Sequence, residues 1–402
     1  MNKLTAETVK QKVMERMDVS RATEDDEVRE LIQDVLDEAG QECTMTLSQR
    51  QQLSKEVFDS LRRLDILQDL VDDPTVTEIM VNGTRHIFYE KNGHLYEWEK
   101  HFTSEEKLQD VVQRIVANSN RMVNELHPIA DTRLENGSRV NIVLNPISID
   151  GTAVSIRRFP EHPVTMRQLI EWQSISEELT EFLKTLVIAG YNIFVSGGTG
   201  SGKTTFLNAL SAFIPAEERI VTIEDSAELQ IRDVPNLVRL ETREALVEGA
   251  KEIGIRDLIK SALRMRPNRI IVGECRGAEA LDVLQAMNTG HNGSLSTGHA
   301  NSAQDMIRRL ETMVLMGMEL PMSAIRGQIT SGVDVMVHLG RLRDKSRKLL
   351  SIVELDGIRD GEVKLHELYR FEEQEEKDGR ILGNWKKTGE LLHQEKLRAA
   401  GL

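Results

Sequence analysis

Ser196 to Thr205 reads SGGTGSGKTT. Tyr191-Asn192-Ile193-Phe194-Val195 stands before it, a β-branched and aromatic run of the kind that fills a buried strand. Phe206-Leu207-Asn208-Ala209-Leu210 follows and predicts a helix. From Gly197 the spacing is G-x-x-x-x-G-K-T, the phosphate-binding loop in its required setting of strand, loop and helix. Gly197, Gly198, Gly200 and Gly202 let the backbone turn closely round an anion. With Thr199, Ser201 and Thr205 they form a cradle of N–H groups, and the following helix adds the positive end of its dipole. Lys203 can reach β- and γ-phosphates as a point charge, and Thr204 can offer its hydroxyl to Mg²⁺. The alternative, a Gly-rich turn carrying a surface lysine, does not account for the flanking strand and helix. The loop implies a nucleoside triphosphate and leaves open what is done with it.

Working outward, the 402 residues suffice for two or three domains, and 40% hydrophobic with 29% charged residues is ordinary for a globular chain. The formal net charge of −14 argues against nucleic acid as the main partner. Two distant cysteines, Cys43 and Cys275, fit a reducing compartment and form neither a disulfide framework nor a zinc set. The N-terminal stretch lacks the apolar region of a secretory signal. No apolar run reaches the ~18 residues that span a bilayer. A cytoplasmic location is expected, with any membrane role exercised through a partner.

The chain organises as α/β. Residues 1–64 predict a charged helical region, with Val28, Leu31, Ile32, Val35, Leu36 and Ala39 on one face and Leu53, Val57, Phe58, Leu61 and Leu64 on another. Residues 65–160 predict a small α+β, PAS-like domain: a strand at Glu78 to Val81, a hairpin about Lys91-Asn92-Gly93, a helix from Thr103, and strands near 138–144 and 152–158. Residues 161–174, following Phe159 and Pro160, carry Pro163 and read as a linker. Residues 175–370 alternate strand and helix, predicting a RecA-like domain with a parallel sheet and ligand at the strands' carboxyl ends. Residues 371–402 are polar and charged and read as a tail, a loose end or one terminal helix.

Within the α/β region an apolar strand, Arg219 to Ile223, ends in Glu224-Asp225, carboxylates that can face a metal or a water. Acids also end strands for no catalytic reason, so this alone is weak. A second strand, Arg269 to Val272, leads through Gly273 to Glu274, placed to orient or deprotonate an attacking water or to hold Mg²⁺ through one. Cys275 beside it reads as a small buried residue, not a nucleophile. His291 and His299 flank a short strand, and His299 can contact a γ-phosphate or report its loss. Arg133, Arg139, Arg157 and Arg158 lie on the last strands of the small domain. Arg139 and Arg157 suit a cation that arrives when a site closes, or simple surface ion pairs. Met313, Met316, Met318 and Met322 read as helix core or subunit interface, with a partner groove as the alternative.

These motifs in this order resemble the type II/IV secretion and pilus-assembly ATPase superfamily, most closely its tight-adherence (Flp pilus, CpaF-like) branch. The resemblance covers about residues 60–370. It includes Val76-Thr77-Glu78-Ile79-Met80-Val81-Asn82-Gly83, Asp131-Thr132-Arg133-Leu134, Gly137-Ser138-Arg139-Val140-Asn141 and Ile156-Arg157-Arg158-Phe159. It continues through the P-loop, TIEDSAEL, RMRPNRIIVGECRGAEALDVLQAMNTGH and STGHANS. It implies a hexameric, ATP- and Mg²⁺-dependent motor at the inner face of the cytoplasmic membrane, moving an inner-membrane platform protein. It assigns Glu224 to the Asp box, Glu274 to the Walker B glutamate, His299 to the His box, and Arg139 and Arg157 to reaching the γ-phosphate. The four-cysteine zinc site of many type II members is missing from this sequence, which fits the tight-adherence or conjugation-like branches. The other readings carried forward are a RecA-type nucleic-acid motor and a nucleotide-gated scaffold with little turnover.

Overall fold

The computed structural model describes residues 5–18, 21, 23–40, 45–91, 93–117, 121–158, 163–232, 234–243 and 251–402. Cys43, Asn92, Phe159 and Pro160 lie outside them. The chain divides into two compact units, residues 1–160 and 161–402.

The first unit opens with three helices, α1 (Ala6–Arg16), α2 (Asp25–Gly40) and α3 (Leu47–Arg62). Val9 and Val13 pack with Val28, Ile32, Val35 and Leu36 and with Val57 and Phe58, so three amphipathic faces share one small core. Thr5 and Thr46 cap α1 and α3 by accepting from the third helical N–H. After α4 (Gln68–Asp72) come β1 (Val76–Asn82), β2 (His86–Lys91) and β3 (His94–Glu97). Then follow α5 (Glu105–Ala117), β4 (Ile129–Arg133), β5 (Arg139–Val143) and β6 (Ala153–Arg157). Their six strands form an antiparallel sheet in the order β3-β2-β1-β6-β5-β4. Leu108, Val111, Val112 and Ile115 of α5 cover the face carrying Ile79, Val81, Val140, Ile142, Val154 and Ile156. The sequence reading omitted β4, whose short run Ile-Ala-Asp-Thr-Arg alternates weakly.

The second unit contains α6 (Met166–Glu171), α7 (Glu177–Ile188), β7 (Ile193–Gly197), α8 (Lys203–Ser211), β8 (Ile220–Glu224) and β9 (Leu237–Glu241). It continues with α9 (Ile255–Ala262), β10 (Arg269–Val272), α10 (Ala280–Asn288), β11 (Leu295–His299), α11 (Ala303–Gly317) and α12 (Met322–Gly332). It ends with β12 (Val335–Arg341), β13 (Arg347–Arg359), β14 (Glu362–Lys377), β15 (Arg380–Lys387) and α13 (Glu395–Ala400). The nine-stranded order is β15-β14-β13-β12-β7-β11-β10-β8-β9. From β12 to β9 all neighbours are parallel, and β12 to β15 run antiparallel as added strands. Residues of α9 to α12 pack on one face, and those of α6, α7 and α8 on the other. Burial on both faces explains the unbroken apolar runs of β7 and β10. The expected fold class holds: a parallel-sheet α/β domain preceded by a small α+β domain and helices.

Two boundaries differ from expectation. Residues 161–174 are not merely connector: Thr165 caps α6, and Met166 and Leu169 enter the second unit's core. Residues 371–387 are not tail but the outer part of a β14–β15 ribbon. Phe371 packs against Trp385 with ring centroids 5.2 Å apart and the planes tilted by 54°, and Arg343 pairs with Glu373 and Glu376. Phe371 and Ile381 are buried, but residues 372–380 between them are exposed and tolerate such charges, so composition alone conceals the ribbon.

Two buried polar residues tie the parallel sheet together. Asn192 donates to the carbonyls of Met287 and Gly332 and accepts from Ser294 N–H, joining β7 to α10, α12 and β11. Arg269, 2% exposed, donates to both oxygens of Glu218 at 2.5 and 2.7 Å and to Val187 O at 2.6 Å. A Cβ on Gly293 would lie 2.5 Å from Arg269 Nη1, so that glycine makes room for the guanidinium. Glu218→Ala strands a buried cation and is expected to cost about 3 kcal/mol. Urea unfolding would measure this, and a change below about 1 kcal/mol would show the remaining Val187 contact to be sufficient.

Candidate nucleotide-binding site

The loop after β7 is shaped by close approach. A Cβ on Gly197 would lie 2.5 Å from Ser201 Oγ and 2.6 Å from Leu339 O, so only glycine fits. Gly200 and Gly202 adopt φ of 71° and 91°, the left-handed region that glycine enters without strain. Gly202 is the N-cap of α8 and provides no side-chain cap, which leaves the N–H groups of the first turn, at Lys203, Thr204 and Thr205, aimed at the loop.

Lys203 is buried at 7% exposure. Its ammonium donates to Gly198 O at 3.1 Å and to His299 Nδ1 at 3.3 Å. Burial lowers its pKa, and Glu274 partly restores it. Accepting at Nδ1 assigns the ring proton of neutral His299 to Nε2. That nitrogen lies 2.8 Å from Glu274 Oε1 but out of line for a hydrogen bond, so this oxygen is buried without a hydrogen-bond partner. Glu274 Oε2 accepts from Arg276 Nη2 at 2.7 Å. Burial lowers the pKa of His299 against the opposing pull of Glu274, which favours the neutral ring. One polar line therefore runs Lys203–His299–Glu274–Arg276 across the carboxyl ends of β7, β11 and β10.

Glu224 is set differently. Its Oε1 accepts from the N–H groups of Glu228 and Leu229 at 2.8 and 2.9 Å, which fixes the turn after β8. Its Oε2 is buried with no hydrogen-bond partner. Burial pushes its carboxyl up to about 7, against the two backbone bonds that lower it. A Cβ on Gly273 would lie 2.9 Å from Glu224 Cγ, so Glu224 packs beneath the residue that precedes Glu274. Cys275 is buried near Met313, with its thiol pushed up by burial, in keeping with a structural role.

The structure thus gathers the P-loop, Lys203, His299 and Glu274, with Glu224 one strand beyond. Arg139 and Arg157 belong to the first unit. There they face each other across β5 and β6, and Arg133 is the partner of Arg139 on β4. Arg139 lies 3.5 Å from Asp131, and Arg157 lies 3.9 Å from Glu78. His291 stays at the end of α10, against Ala286 O. Sequence reasoning missed His338, whose Nδ1 lies 2.9 Å from Ser196 Oγ, and missed Arg341 and Arg347 near the loop. No motif links these residues to residue 200; only the β12–β7 pairing does. Of the methionines, Met313 is buried, while Met316 and Met318 are exposed.

The family model for type II/IV secretion system proteins matches residues 61–382. A putative conjugal transfer protein of Mycobacterium tuberculosis is 34% identical over 296 residues, 72% of this chain and 84% of that protein. Conjugal transfer protein TrbB of Rhizobium radiobacter is 33% identical over 326 residues, 80% of this chain and 96% of that protein. The crystal structure of the Legionella pneumophila ATPase DotB is similar in fold, with a TM-score of 0.53 at 20% identity over 72% of this chain and 79% of that one. The chain belongs to the type II/IV secretion system protein family.

The buried Glu224 carboxyl gives this site a pH signature. A carboxylate whose folded pKa exceeds its unfolded value is better protonated in the fold, so stability falls as pH rises from the usual carboxylate range through about 7. Glu224→Gln keeps the acceptor for Glu228 and Leu229 but cannot ionise. The variant is expected to melt higher than wild type at pH 8 and level with it near pH 5. Parallel melting curves at both pH values would show Glu224 to titrate as an exposed acid.

Proposed function

We propose that this chain is an ATP hydrolase that powers a secretion or pilus-assembly machine. The observation that carries the reading is the line Lys203–His299–Glu274–Arg276 beside a P-loop at the carboxyl ends of parallel strands. An intact loop with no acid beside it would support binding alone. Here Glu274 ends the strand two places from β7 and keeps a buried oxygen without a hydrogen-bond partner, a place for a water or a hydrated cation.

In this reading the N–H groups of Gly200 to Thr205 bind the phosphate oxygens, and Lys203 turns from Gly198 O to the β- and γ-phosphates. Glu274 orients the attacking water and takes its proton. Neutral His299, between Lys203 and Glu274, responds to loss of the γ-phosphate. The hydroxyl of Thr204 and the carboxylate of Glu274, acting through water, are hard oxygen donors that suit Mg²⁺, which neutralises charge on the phosphates when bound. Glu224 fixes the neighbouring turn and keeps one oxygen for the site. Arg139 and Arg157 add positive charge at the γ-phosphate as the resemblance implies, and their side-by-side placement supports a joint role.

The proposed assembly is a cytoplasmic homo-hexamer, peripheral to the inner face of the cytoplasmic membrane, that works on an inner-membrane platform protein. The motif wording and the missing four-cysteine set support the tight-adherence (Flp pilus) branch; the conjugal-transfer relatives support a type IV secretion role broadly. Among the described residues no helix is long and apolar enough to cross a membrane.

ATP hydrolysis by purified protein, followed across protein concentration, tests this. Specific activity is expected to rise with concentration and to vanish in Lys203→Ala. Glu274→Gln should bind ATP yet turn over at least about 100-fold more slowly. Arg139→Ala should lower hydrolysis more than nucleotide affinity. Nucleotide binding without turnover that Glu274→Gln alters would favour the gated scaffold, and stimulation by DNA would favour the nucleic-acid motor.

A further inference from the structure

The β12–β13 hairpin ends beside the P-loop. β12 runs parallel to β7, with Leu339 opposite Gly197, so its turn emerges at the same end of the sheet as the loop. Between Gly340 and Lys348 stand Arg341, Arg343, Lys345, Arg347 and Lys348 with one acid, Asp344, in a chain of net charge −14. Most of these charges have structural partners. Asp344 accepts from Ser346 N, Ser346 Oγ and Ile381 N, which shapes the turn. Arg343 is taken by Glu373 and Glu376, and buried Lys348 donates to Gln173 O at 2.6 Å.

Arg341 and Arg347 face the loop instead. Arg347 Nε donates to Gly200 O at 2.9 Å, and a Cβ on Gly202 would lie 3.4 Å from Arg347 Cδ. A Cβ on Gly200 would lie 4.0 Å from Arg341 Nη1. On the other side of β7 lie β11 with His299 and then β10, which leads to Glu274. Lys203, the residue for the β- and γ-phosphates, leans to that side. An open groove there is lined by Gly198, Thr199, His299, Arg308, Arg309 and one acid, Asp305, which lies 3.6 Å from Arg308. The terminal phosphate therefore belongs toward β11, and the α-phosphate and nucleoside belong toward the hairpin.

Resting on the nucleotide reading of the loop, we propose that Arg341 contacts the α-phosphate end of the bound nucleotide, and that Arg347 is a positioning residue that fixes the hairpin to the loop at Gly200. A guanidinium stays charged at all working pH values and can pair with two phosphate oxygens at once. ADP and ATP share this end, so Arg341 strengthens both alike, whereas His299 and Glu274 act where the two differ. The hairpin continues through β13 into β14 and β15, so nucleotide contact reaches the added strands directly.

Fluorescent ADP and a non-hydrolysable fluorescent ATP analogue, titrated into the full chain, provide the test. Arg341→Ala is expected to weaken both by about tenfold with their ratio unchanged, the loss for one charge-assisted hydrogen bond. Lys345→Gln, at the exposed tip, should leave both unchanged. Arg347→Ala should weaken both, and Arg347→Lys, which still donates to Gly200 O, should restore part of the affinity. Unchanged affinities in Arg341→Ala, or a loss confined to the ATP analogue, would overturn the assignment. A folded wild-type protein that binds neither nucleotide would instead overturn the loop reading, and this inference with it.

Discussion

Keeping one ammonium, that of Lys203, mostly out of water sets the terms for the second unit. A buried cation is costly unless polar groups surround it. Here Gly198 O and His299 Nδ1 accept from it, and Glu274 lies next along the line. Each partner comes from a different place in the chain: the loop itself, the end of β11 and the end of β10. They meet only if β7, β11 and β10 lie side by side, parallel and in register. The buried apolar runs, Asn192 across three elements and Arg269 on Glu218 hold that register far from the loop. The fold's core thus serves to place a few polar atoms.

The two strand-end glutamates show how environment sets one residue type in two different states. Glu224 is desolvated, has one oxygen tied by backbone N–H groups, and is pushed up to about 7. Glu274 is 20% exposed, with Arg276 on one oxygen and His299 close to the other. From sequence both are acids at the end of an apolar strand. Neighbours separate them: Glu224 is tied into the turn after β8, and Glu274 is held by Arg276 beside His299.

What the sequence disclosed follows from the same physics. β7, β8 and β10 were legible because parallel strands buried on both faces are largely apolar, β11 (LSTGH) only through its place in the strand–helix alternation, and the P-loop because its glycines recur at fixed spacing. Lys203, Glu274 and His299 stood out in the sequence because each lies at or after the end of one of these strands, and the structure brings the three together. β14 and β15 were hidden because their exposed charges outnumber the few buried apolar residues, and EEQEEKDGR looks like a tail until Phe371 meets Trp385 and Arg343 meets its two glutamates. His338, Arg341 and Arg347 were hidden for another reason. They approach the loop through the pairing of β12 with β7, more than a hundred positions apart in the chain, and no local pattern encodes that distance.

The arginines of the first unit raise a question of stability. Arg133, Arg139 and Arg157 are consecutive cross-strand partners on β4, β5 and β6. Like charges in direct opposition weaken a sheet by a few tenths of a kcal/mol to about 1 kcal/mol per pair. Asp131 and Glu78 offset part of this at 3.5 and 3.9 Å, distances too long for strong pairs on half-exposed side chains. The hydrophobic face beneath fixes these strands through Val140, Ile142, Val154 and Ile156, so their pairing does not depend on the outer charges alone. In the proposed reading, an anion such as a triphosphate returns part of that mutual repulsion as binding energy.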